Sequence, residues 1–353
     1  MKKIVMTGGG TAGHVTPNIA LMPYLKDAGY EISYIGSYTG IEKDLIEAQG
    51  ITYYGISSGK LRRYHDWKNF TDPFRVLKGF GEAHKLLKTI KPDVVFSKGG
   101  FVSVPVVMAA ARLHIPAIIH ESDMTPGLAN KLAIPSATKV CCNFPETLNN
   151  LPASKAVLTG SPIRQELLSG DKAAGLSFCG FNDSKPVLLI MGGSIGSRFI
   201  NNAVWESIDV ILRHFQVVHL VGKGNINKDL IGAEGYQQYE FISDELNDIF
   251  AMTDIMISRA GANSICEILA LKIPNILIPL SAAASRGDQI LNAASFEKQG
   301  YSVVLQEETL TSEMLVDAID NVYKDRDKYI AAMGNSALYD ANGTIMNLIE
   351  NIK

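Results

Sequence analysis

Short apolar runs alternate with amphipathic stretches along nearly the whole chain. In the first half, runs rich in β-branched residues predict strands at KKIVMT, EISYIG, ITYYGI, PDVVFS, IPAIIH and TKVCC. Between these runs, apolar residues recur at helical spacing over 16–28, 75–90 and 103–113. Nearly continuous apolar strands separated by helices are typical of parallel sheets covered on both faces. The pattern therefore predicts an α/β fold.

The second half of the chain repeats this organisation. Strands are predicted at KPVLLIMGGS, FQVVHLVG, YEFIS, TDIMIS, IPNILIPL and YSVVL. Each half opens with an apolar strand that runs into a glycine turn, IVMTGGGTAGH in the first and LLIMGGSIGS in the second. We predict two Rossmann-like parallel-sheet domains that face each other across a ligand cleft, with each glycine turn at the carboxyl edge of its sheet.

The domain boundary is predicted in the loop formed by Gly160, Ser161 and Pro162. The first domain then covers 1–162 and the second covers 163–339. The final segment, NGTIMNLIENIK, has a helical pattern. We expect it to form a helix, at about 340–353, that packs back on the first domain.

Composition narrows the class of protein. The chain has 353 residues, of which 46% are hydrophobic and 20% charged, as in soluble globular proteins. A net charge of -3 does not favour nucleic-acid binding, which needs a basic surface. Because no signal peptide precedes the first strand and charges interrupt the most apolar stretch, we expect a cytoplasmic protein without a membrane span. The cysteines show no metal-binding spacing, and Cys141 and Cys142 are expected on opposite faces of one strand.

The first glycine turn has the spacing of a dinucleotide fingerprint, because Gly8, Gly10 and Gly13 fit G-x-G-x-x-G. A dinucleotide site also needs an acid at the end of the second strand, where it binds a ribose. Here that strand ends in Gly36 and Ser37, so NAD or FAD is not predicted. The backbone amides of the turn are still expected to face a phosphate or a developing negative charge.

A histidine, His14, lies at the rim of this turn. An imidazole in such a place can take a proton near neutral pH. A single histidine is also often structural, so the residue type alone leaves both roles open.

The second glycine turn, GGSIGS, offers the hydroxyl of Ser194 and the amides of the following helix to a diphosphate. The turn lacks the Gly-Lys-Ser/Thr of a P-loop, so ATP hydrolysis is not predicted.

Two later helix starts carry polar side chains. The motif SRAGANSICEI places Asn263 and Glu267 one turn apart, where a carboxylate suits a ribose diol or simply complements the helix N-terminus. The motif SRGDQILNA places Asp288, Gln289 and Asn292 at a helix start, where they can bind sugar hydroxyls or cap the helix.

Residues 60–85 combine basic and aromatic side chains. The segment predicts either interfacial membrane attachment or a core-facing helix with solvated lysines. Phe70, Phe74 and Leu77 fall on one helical face. The other candidate membrane contacts are Arg62, Arg63, Trp67 and Lys68.

Taken together, the motifs resemble those of a known bacterial family, the undecaprenyldiphospho-muramoylpentapeptide β-N-acetylglucosaminyltransferases of peptidoglycan synthesis. In the order and at the spacing typical of that family, the chain carries GGGTAGHVTPNIAL, SKGGFVSVPVVMAA, HESDMTPGLANK, GSPIR, GGSIGS, SRAGANSICEI and DQILNA. The resemblance implies a GT-B fold, with the acceptor and a membrane surface in the first domain and the UDP-sugar in the second.

The same resemblance implies a reaction and a location. N-acetylglucosamine (GlcNAc) would pass from UDP-GlcNAc to the C4 hydroxyl of the N-acetylmuramoyl (MurNAc) unit of lipid I, undecaprenyl-diphospho-MurNAc-pentapeptide. The anomeric configuration would invert and lipid II would form for the cell wall. The enzyme would lie peripherally on the anionic cytoplasmic face of the cell membrane, beside other cell-wall synthesis proteins. Cell shape and cell division would depend on it.

The family's functional positions can be carried onto this chain residue by residue. His14 corresponds to the general base, and Glu121 lies in the same site. Ile242 would meet the uracil through its main chain, and Glu267 the ribose. The UDP-GlcNAc contacts fall on Thr11, Ala12, Gly13, Arg164, Ser194, Ile242, Ala262, Asn263, Ser264, Glu267 and Gln289.

Two departures from the family pattern affect the donor-sugar contacts. Ala12 stands where many members have glycine, and Ser122 with Asp123 replaces a Gln-Asn pair. Because that asparagine is thought to contact the donor sugar, Asn130 is a candidate substitute.

An inverting transfer is a single displacement, so it needs a base and stabilisation of the departing UDP but no covalent nucleophile. The chain has no Asp-x-Asp motif of the metal-dependent kind, and we expect neither a tightly bound metal nor a cofactor. The alternatives are another lipid-acceptor GT-B glycosyltransferase, such as a diacylglycerol glucosyltransferase, a UDP-GlcNAc epimerase, or a non-catalytic nucleotide-sugar-binding membrane subunit.

Overall fold

The structure is a computed structural model that describes residues 1–59, 72–193, 196–283, 287–336, 338 and 340–352, with the main chain alone at 72–74. The chain divides into two compact units. The first is Met1–Arg164 together with Asp340–Lys353, and the second is Gln165–Tyr339. The first unit thus ends after Arg164, whereas the predicted first domain ends after Pro162.

The strands of the two units form two separate parallel sheets. The first sheet consists of β1 (Lys2–Thr7), β2 (Tyr30–Ser37), β3 (Thr52–Ile56), β4 (Val94–Ser97), β5 (Ala117–Glu121), β6 (Lys139–Cys142) and β7 (Ala156–Leu158), in the order β3-β2-β1-β4-β5-β6-β7. The second consists of β8 (Val187–Met191), β9 (Gln216–Leu220), β10 (Tyr236–Tyr239), β11 (Ile255–Ser258), β12 (Asn275–Leu277) and β13 (Ser302–Val304), in the order β10-β9-β8-β11-β12-β13. Both orders contain the 3-2-1-4-5-6 arrangement of a doubly wound fold, which confirms the predicted fold class.

Helices connect the strands and close the chain. They are α1 (Thr16–Asp27), α2 (Ile41–Glu47), α3 (Asp72–Ile90), α4 (Ser103–Arg112), α5 (Leu128–Ala133), α6 (Lys172–Cys179), α7 (Arg198–His214), α8 (Leu246–Met252), α9 (Ala262–Leu271), α10 (Asp288–Lys298), α11 (Ser312–Lys324), α12 (Arg326–Gly334) and α13 (Ala341–Asn351).

Two edge strands differ from the sequence prediction. Strand β7 was not predicted, and the strand predicted at YEFIS is wrong, because the chain instead pairs with β9 through Tyr236–Tyr239. Strand β7 pairs with β6 alone and β10 with β9 alone. An edge strand needs no continuous apolar run, and β10 carries the polar pair Gln237 and Gln238.

The first sheet has a hydrophobic cluster on each face, since side chains alternate along its strands. Ile4 and Met6 of β1 belong to one cluster, which also contains residues of α1 and α13. Val5 belongs to the other cluster, with residues of α3 and α4. Cys141 and Cys142 fall into different clusters, as predicted, and both are reduced and buried.

In the second unit, helices pack through the apolar stripes expected of amphipathic helices. The buried stripe of α7 includes Ile200, Val204 and Ile208, and α11 contacts this helix. The aromatic rings of Phe215 and Tyr323 add an edge-to-face contact, with their centroids 5.3 Å apart.

Candidate active site

The strand order reverses once in each sheet, and the candidate chemistry lies at both reversals. In the first sheet the reversal falls between β1 and β4, and in the second between β8 and β11. Ligands of doubly wound folds bind outside the carboxyl ends of the strands at such a point. The first glycine turn follows β1 and the second follows β8, so both turns lie at a reversal.

In the first unit, His14 is held in a defined tautomer. Its Nδ1 lies 3.2 Å from the main-chain oxygen of Lys98, which follows β4. A carbonyl oxygen can only accept, so Nδ1 carries the hydrogen and Nε2 keeps a lone pair. Burial, and next the positive charge of Lys98, lower the pKa of His14 below its usual value, which keeps the ring neutral at pH 7. The side chain is half-buried and has the form that a general base requires.

A buried acid, Glu42 of α2, contacts the end of β2. Glu42 is fully buried, and its carboxylate accepts hydrogen bonds from the amide of Gly10 at 3.2 Å and the amide of Ser37 at 3.0 Å. The hydroxyl of Ser37 donates to the same carboxylate at 2.5 Å. Burial raises the pKa of Glu42, but these hydrogen bonds outweigh it and the pKa lies below its usual value. Sequence reasoning missed this residue, since no motif marks it.

Glu42 changes the expected role of the first turn. The expectation that its amides face a phosphate is wrong at Gly10, whose N–H already donates to a carboxylate. A second anion at that amide would meet like charge. Beyond Gly10, the residues Thr11, Ala12 and Gly13 are exposed, and a 3-10 turn at Ala12–His14 leads into α1.

Lys98, whose main-chain oxygen binds His14, forms a buried pair with His120 through its side chain. The Nζ of Lys98 is 2.7 Å from Nδ1 of His120, 2.7 Å from Oγ of Ser122 and 3.2 Å from Oγ of Ser161. The Nε2–H of His120 donates to the main-chain oxygen of Gly160 at 2.8 Å, so Nδ1 accepts from the lysine. Burial, followed by the charge of Lys98, places the pKa of His120 well below its usual value.

Glu121 organises the loop that follows β5. One carboxylate oxygen accepts from the amide of Asp123 at 3.0 Å. The other accepts from the amide of Gly127 at 2.9 Å and from the side chain of Asn130 at 2.8 Å. Glu121 is only 4% exposed. The carboxylate of Glu121 therefore holds the loop after β5 together through these three hydrogen bonds.

Asn130 presents one amide oxygen toward the turn that carries His14. Its Nδ2 donates to Glu121 and to the main-chain oxygen of His120, while its buried Oδ1 has no hydrogen-bond partner among the described residues. A Cβ built on Gly99 would lie 3.4 Å from this Oδ1 and 3.6 Å from Cε1 of His14. The structure thus brings His14 and Asn130 close to the same glycine.

In the second unit, Arg259 joins the two strand ends at the reversal. The side chain, 10% exposed, donates from Nη1 to Glu307 at 2.6 Å and from Nη2 to Oγ of Ser197 at 2.7 Å. Ser197 in turn caps α7 by accepting from the amide of Ile200 at 3.3 Å. Arg259 therefore fixes the start of the helix that follows the second glycine turn. Ser194 itself lies outside the described residues.

The predicted donor residues of α9 stand at its start. Ala262, Asn263 and Ser264 form the first turn, behind Gly261, and all are half-buried. Glu267 lies in the next turn of the same helix. The amide dipoles at the start of a helix attract an anion, and a carboxylate one turn later can reach a diol.

The four remaining predicted residues, Gln289, Asn292, Ile242 and Arg164, lie in different surroundings. Gln289 is at the start of α10, and its side-chain oxygen accepts from the amide of Leu280 at 3.0 Å. Asn292 is 1% exposed, and its Nδ2 donates to the main-chain oxygen of Ala260 at 3.2 Å, while its Oδ1 has no hydrogen-bond partner among the described residues. Ile242 is buried in the loop that follows β10, and Arg164 is the last residue of the first unit.

The membrane candidates are only partly described. Leu77 of α3 is 68% exposed, as a membrane contact requires. The predictions for Arg62, Arg63, Trp67, Lys68, Phe70 and the side chain of Phe74 lie outside the described residues.

The described part of the chain lacks two further features. No helix there is long and apolar enough to cross a membrane. No group of three or more His, Cys, Asp or Glu side chains among those residues could hold a metal ion.

Comparison with known proteins gives two family matches, which together cover most of the chain. Residues 4–142 match the glycosyltransferase family 28 N-terminal domain, and residues 187–347 match the glycosyltransferase family 28 C-terminal domain.

Curated relatives match over their full lengths. The chain is 65% identical over 350 residues to the UDP-N-acetylglucosamine--N-acetylmuramyl-(pentapeptide) pyrophosphoryl-undecaprenol N-acetylglucosamine transferase of Lachnospira eligens, with 99% of both chains covered. It is also 65% identical over 353 residues to the protein of the same name from Lachnoclostridium phytofermentans, which covers 100% of this chain and 99% of that one. Among solved structures, Acinetobacter baumannii MurG aligns over 100% of both chains with a TM-score of 0.78 and 26% identity.

Proposed function

The chain belongs to glycosyltransferase family 28, and from that premise we propose that it transfers GlcNAc from UDP-GlcNAc to the C4 hydroxyl of MurNAc in lipid I, with inversion. The observation that carries the proposal is the 65% identity, over 99% of both chains, to a relative named for transfer of N-acetylglucosamine to pyrophosphoryl-undecaprenol N-acetylmuramyl-(pentapeptide). The product would be lipid II.

The proposed base is His14. Its Nε2 takes the proton of the acceptor hydroxyl as the hydroxyl oxygen bonds to C1 of GlcNAc. The bond from C1 to the diphosphate oxygen breaks at the same time, and UDP leaves with the electron pair. The fixed Nδ1–H and the lowered pKa of His14 support this role, because the ring is neutral when the acceptor arrives.

Stabilisation of the departing UDP is assigned to the second unit. The first turn of α9 and Ser194 would meet the diphosphate, and Glu267 the ribose. The hydrogen bond from Arg259 to Ser197, which we call the clamp, supports this assignment. Ser197 caps α7, so the clamp holds the start of the helix that follows the glycine turn. Arg164, Ile242 and Gln289 complete the proposed donor contacts.

In the first unit, we assign Thr11, Ala12, Gly13 and Asn130 to the sugar-diphosphate. Oδ1 of Asn130 supports this, because a buried acceptor with no described partner gains a hydrogen bond when a ligand hydroxyl reaches it. We assign Glu121 to holding the loop in position and not to proton transfer. Both of its carboxylate oxygens already accept hydrogen bonds within the loop, whereas a base needs an accessible lone pair.

The membrane assignment rests on residues 60–85. We propose that the enzyme binds the anionic cytoplasmic face of the membrane peripherally, where its lipid-linked acceptor lies. The exposure of Leu77 supports this. Association with other cell-wall synthesis proteins stays a prediction from the resemblance.

The experiment is a transfer assay with the full chain, radiolabelled UDP-GlcNAc and a lipid I analogue. Label in a product of the lipid I analogue, and none on diacylglycerol, is the expected result. Transfer to diacylglycerol alone would replace the proposal with a diacylglycerol glycosyltransferase. Binding of UDP-GlcNAc without transfer to either acceptor would favour the non-catalytic subunit.

Variants then test the base. His14→Ala is expected to lower kcat by about 10²- to 10⁴-fold, the usual contribution of a general base. His214→Ala is the control, because His214 is exposed at the end of α7 in the other unit. A His14→Ala enzyme that folds and turns over like the wild type would remove His14 as the base.

A further inference from the structure

The side chain of Lys98 is completely buried, which is rare for a lysine. The residue follows β4 at the reversal of strand order, beside the turn that follows β1. Placing an ammonium group in the interior costs free energy unless its hydrogens are bonded. A hydrophobic residue would fill this position at a lower cost, so the charge calls for an explanation.

The ammonium group of Lys98 links separate segments at the carboxyl edge of the first sheet. Its partners are His120, the neighbouring Ser122, and Ser161 beyond β7. All three accept at or below 3.2 Å, and an ammonium group has three hydrogens to donate.

The main chain of Lys98 binds the other side of the reversal. Its amide donates to the oxygen of Thr7 at 3.0 Å, and its oxygen accepts from Nδ1 of His14 at 3.2 Å. One residue thus contacts the end of β1 and His14 through its backbone, and the loop after β5 through its side chain. That loop contains Glu121 and Asn130, which are bonded to each other.

We propose that Lys98 is a positioning residue for the transfer reaction, which sets the orientation of His14 through its backbone and of the 120–130 loop through its ammonium group. The proposal rests on the function proposed above for His14. It adds that the two sides of the site are fixed by one buried cation.

The charge has a second consequence. The charged groups that act on His14 are Lys98, which follows β4, and Glu42, on α2. The cation favours the neutral imidazole and the carboxylate favours the protonated one. Removal of the cation alone should therefore raise the pKa of His14.

The test compares Lys98→Met, which keeps the length and removes the charge, with Ser122→Ala, which removes one partner and keeps the charge. For Lys98→Met we expect kcat to fall roughly tenfold to a hundredfold. The KM for UDP-GlcNAc should rise by less than kcat falls, because α9 and α10 are in the other unit and Asn130 is the one proposed donor contact in the loop that Lys98 orients. The acidic limb of the pH profile of kcat/KM should move to higher pH. For Ser122→Ala we expect a smaller loss of kcat and no movement of the limb.

A titration of the His14 Cε1 resonance by NMR separates this proposal from the proposed function, because it requires no turnover. A higher midpoint in Lys98→Met supports the role of Lys98 even if the transfer assay fails. An unchanged midpoint in a folded Lys98→Met protein, with only a lower melting temperature, would reduce Lys98 to a structural residue and overturn the proposal. If Lys98→Met does not fold, Lys98→Gln replaces it, with the same expected midpoint.

Discussion

The carboxylate of Glu42 occupies the space that a side chain on Gly9 would need: a Cβ there would lie 2.5 Å from Oε1 of Glu42. Carbon and oxygen atoms that are not bonded to each other essentially never approach so closely, so either the carboxylate or the turn would have to move. The need for glycine in this turn thus comes from Glu42, a residue on the helix α2. The first glycine turn thus packs against the buried carboxylate of Glu42.

Gly9→Ala is therefore expected to lower the free energy of unfolding by about 1–3 kcal/mol, the usual cost of overpacking, and to lower kcat through displacement of the turn. The double variant Gly9→Ala/Glu42→Ala should lose less than the sum of its single variants, because the clash is gone. Urea unfolding of the set measures this coupling.

Gly10→Ala is the matched control for this cycle. Gly10 has a φ of +89° and no atom within 4 Å of a built Cβ, so its cost is backbone strain. Glu42→Ala should not rescue it. A double variant with Gly9→Ala that is fully additive would contradict the steric account.

Arg259 gives a second prediction. Lysine at this position can reach Glu307 or Ser197 but cannot bond both as the guanidinium does. Arg259→Lys should weaken UDP binding by loosening the start of α7, and Ser197→Ala should do the same with about 1 kcal/mol of lost stability.

Calorimetric titration with UDP measures both variants and their combination. Because the two residues act through one contact, the double variant should bind UDP about as weakly as the weaker single one. Wild-type UDP affinity in both single variants would show that the clamp is unrelated to the donor site.

Lys98 and Arg259 also show what the sequence can and cannot reveal. Each follows a serine that ends the strand beyond the reversal, Ser97 in β4 and Ser258 in β11. The repeated pattern, Ser followed by a cation and then a glycine within two residues, is visible in SKGG and SRAG. The sequence does not reveal the role of this pattern, because the partners of each cation lie far away along the chain and only the sheet order brings them close.

Strand prediction succeeded where burial on both faces imposes a continuous apolar run, as in Val187–Met191 and Gln216–Leu220. It failed at β7, which is only three residues long, and at β10, where two glutamines interrupt the apolar run, although β3 and β13 at the opposite edges were predicted. The glycine turns and His14 could be placed from strand–turn–helix spacing. Glu42 could not be placed, because an acid that reaches back from a helix leaves no fixed spacing.

A third prediction concerns stability and pH. His219 is buried in the second unit, where Nε2–H donates to Asn201 and Nδ1 accepts from the hydroxyl of Tyr236, both at 3.0 Å. The hydroxyl of Tyr236 accepts in turn from Trp205 at 2.9 Å. A second proton on His219, at Nδ1, would remove the lone pair that accepts from the Tyr236 hydroxyl. Burial lowers the pKa of His219 to about 3.

The sign follows from the unfolded chain, in which a histidine takes its proton near pH 6.5. Between that pH and about 3, the unfolded state binds the proton and the folded state does not. The free energy of unfolding should therefore fall as the pH is lowered, by about 1.4 kcal/mol per pH unit for this group. His219→Gln should remove that part of the slope, while its difference from wild type at pH 8 reports packing alone. An unchanged slope in urea titrations would contradict the assignment.

A fourth prediction concerns the membrane. Leu77→Ser should weaken binding of the full chain to vesicles that contain anionic lipid, because it removes an apolar contact from the interface. Ile231→Ser is the matched control, since both residues are 68% exposed and Ile231 lies in the other unit. Co-sedimentation measures both variants. Equal binding by the two would place the membrane surface elsewhere.

The last prediction concerns the C-terminal helix, which the structure joins to the first unit through Asn342. Its Oδ1 accepts from the amide of Ile163 at 3.1 Å, and its Nδ2 donates to the oxygen of Ile163 at 2.7 Å. Asn342→Ala leaves two buried main-chain groups without partners, and we expect the free energy of unfolding to fall by about 2–3 kcal/mol. Asn347→Ala, at an exposed position of the same helix, should change it by less than about 0.5 kcal/mol. Urea unfolding compares the two variants, and equal stabilities would mean that α13 is held by its apolar face alone.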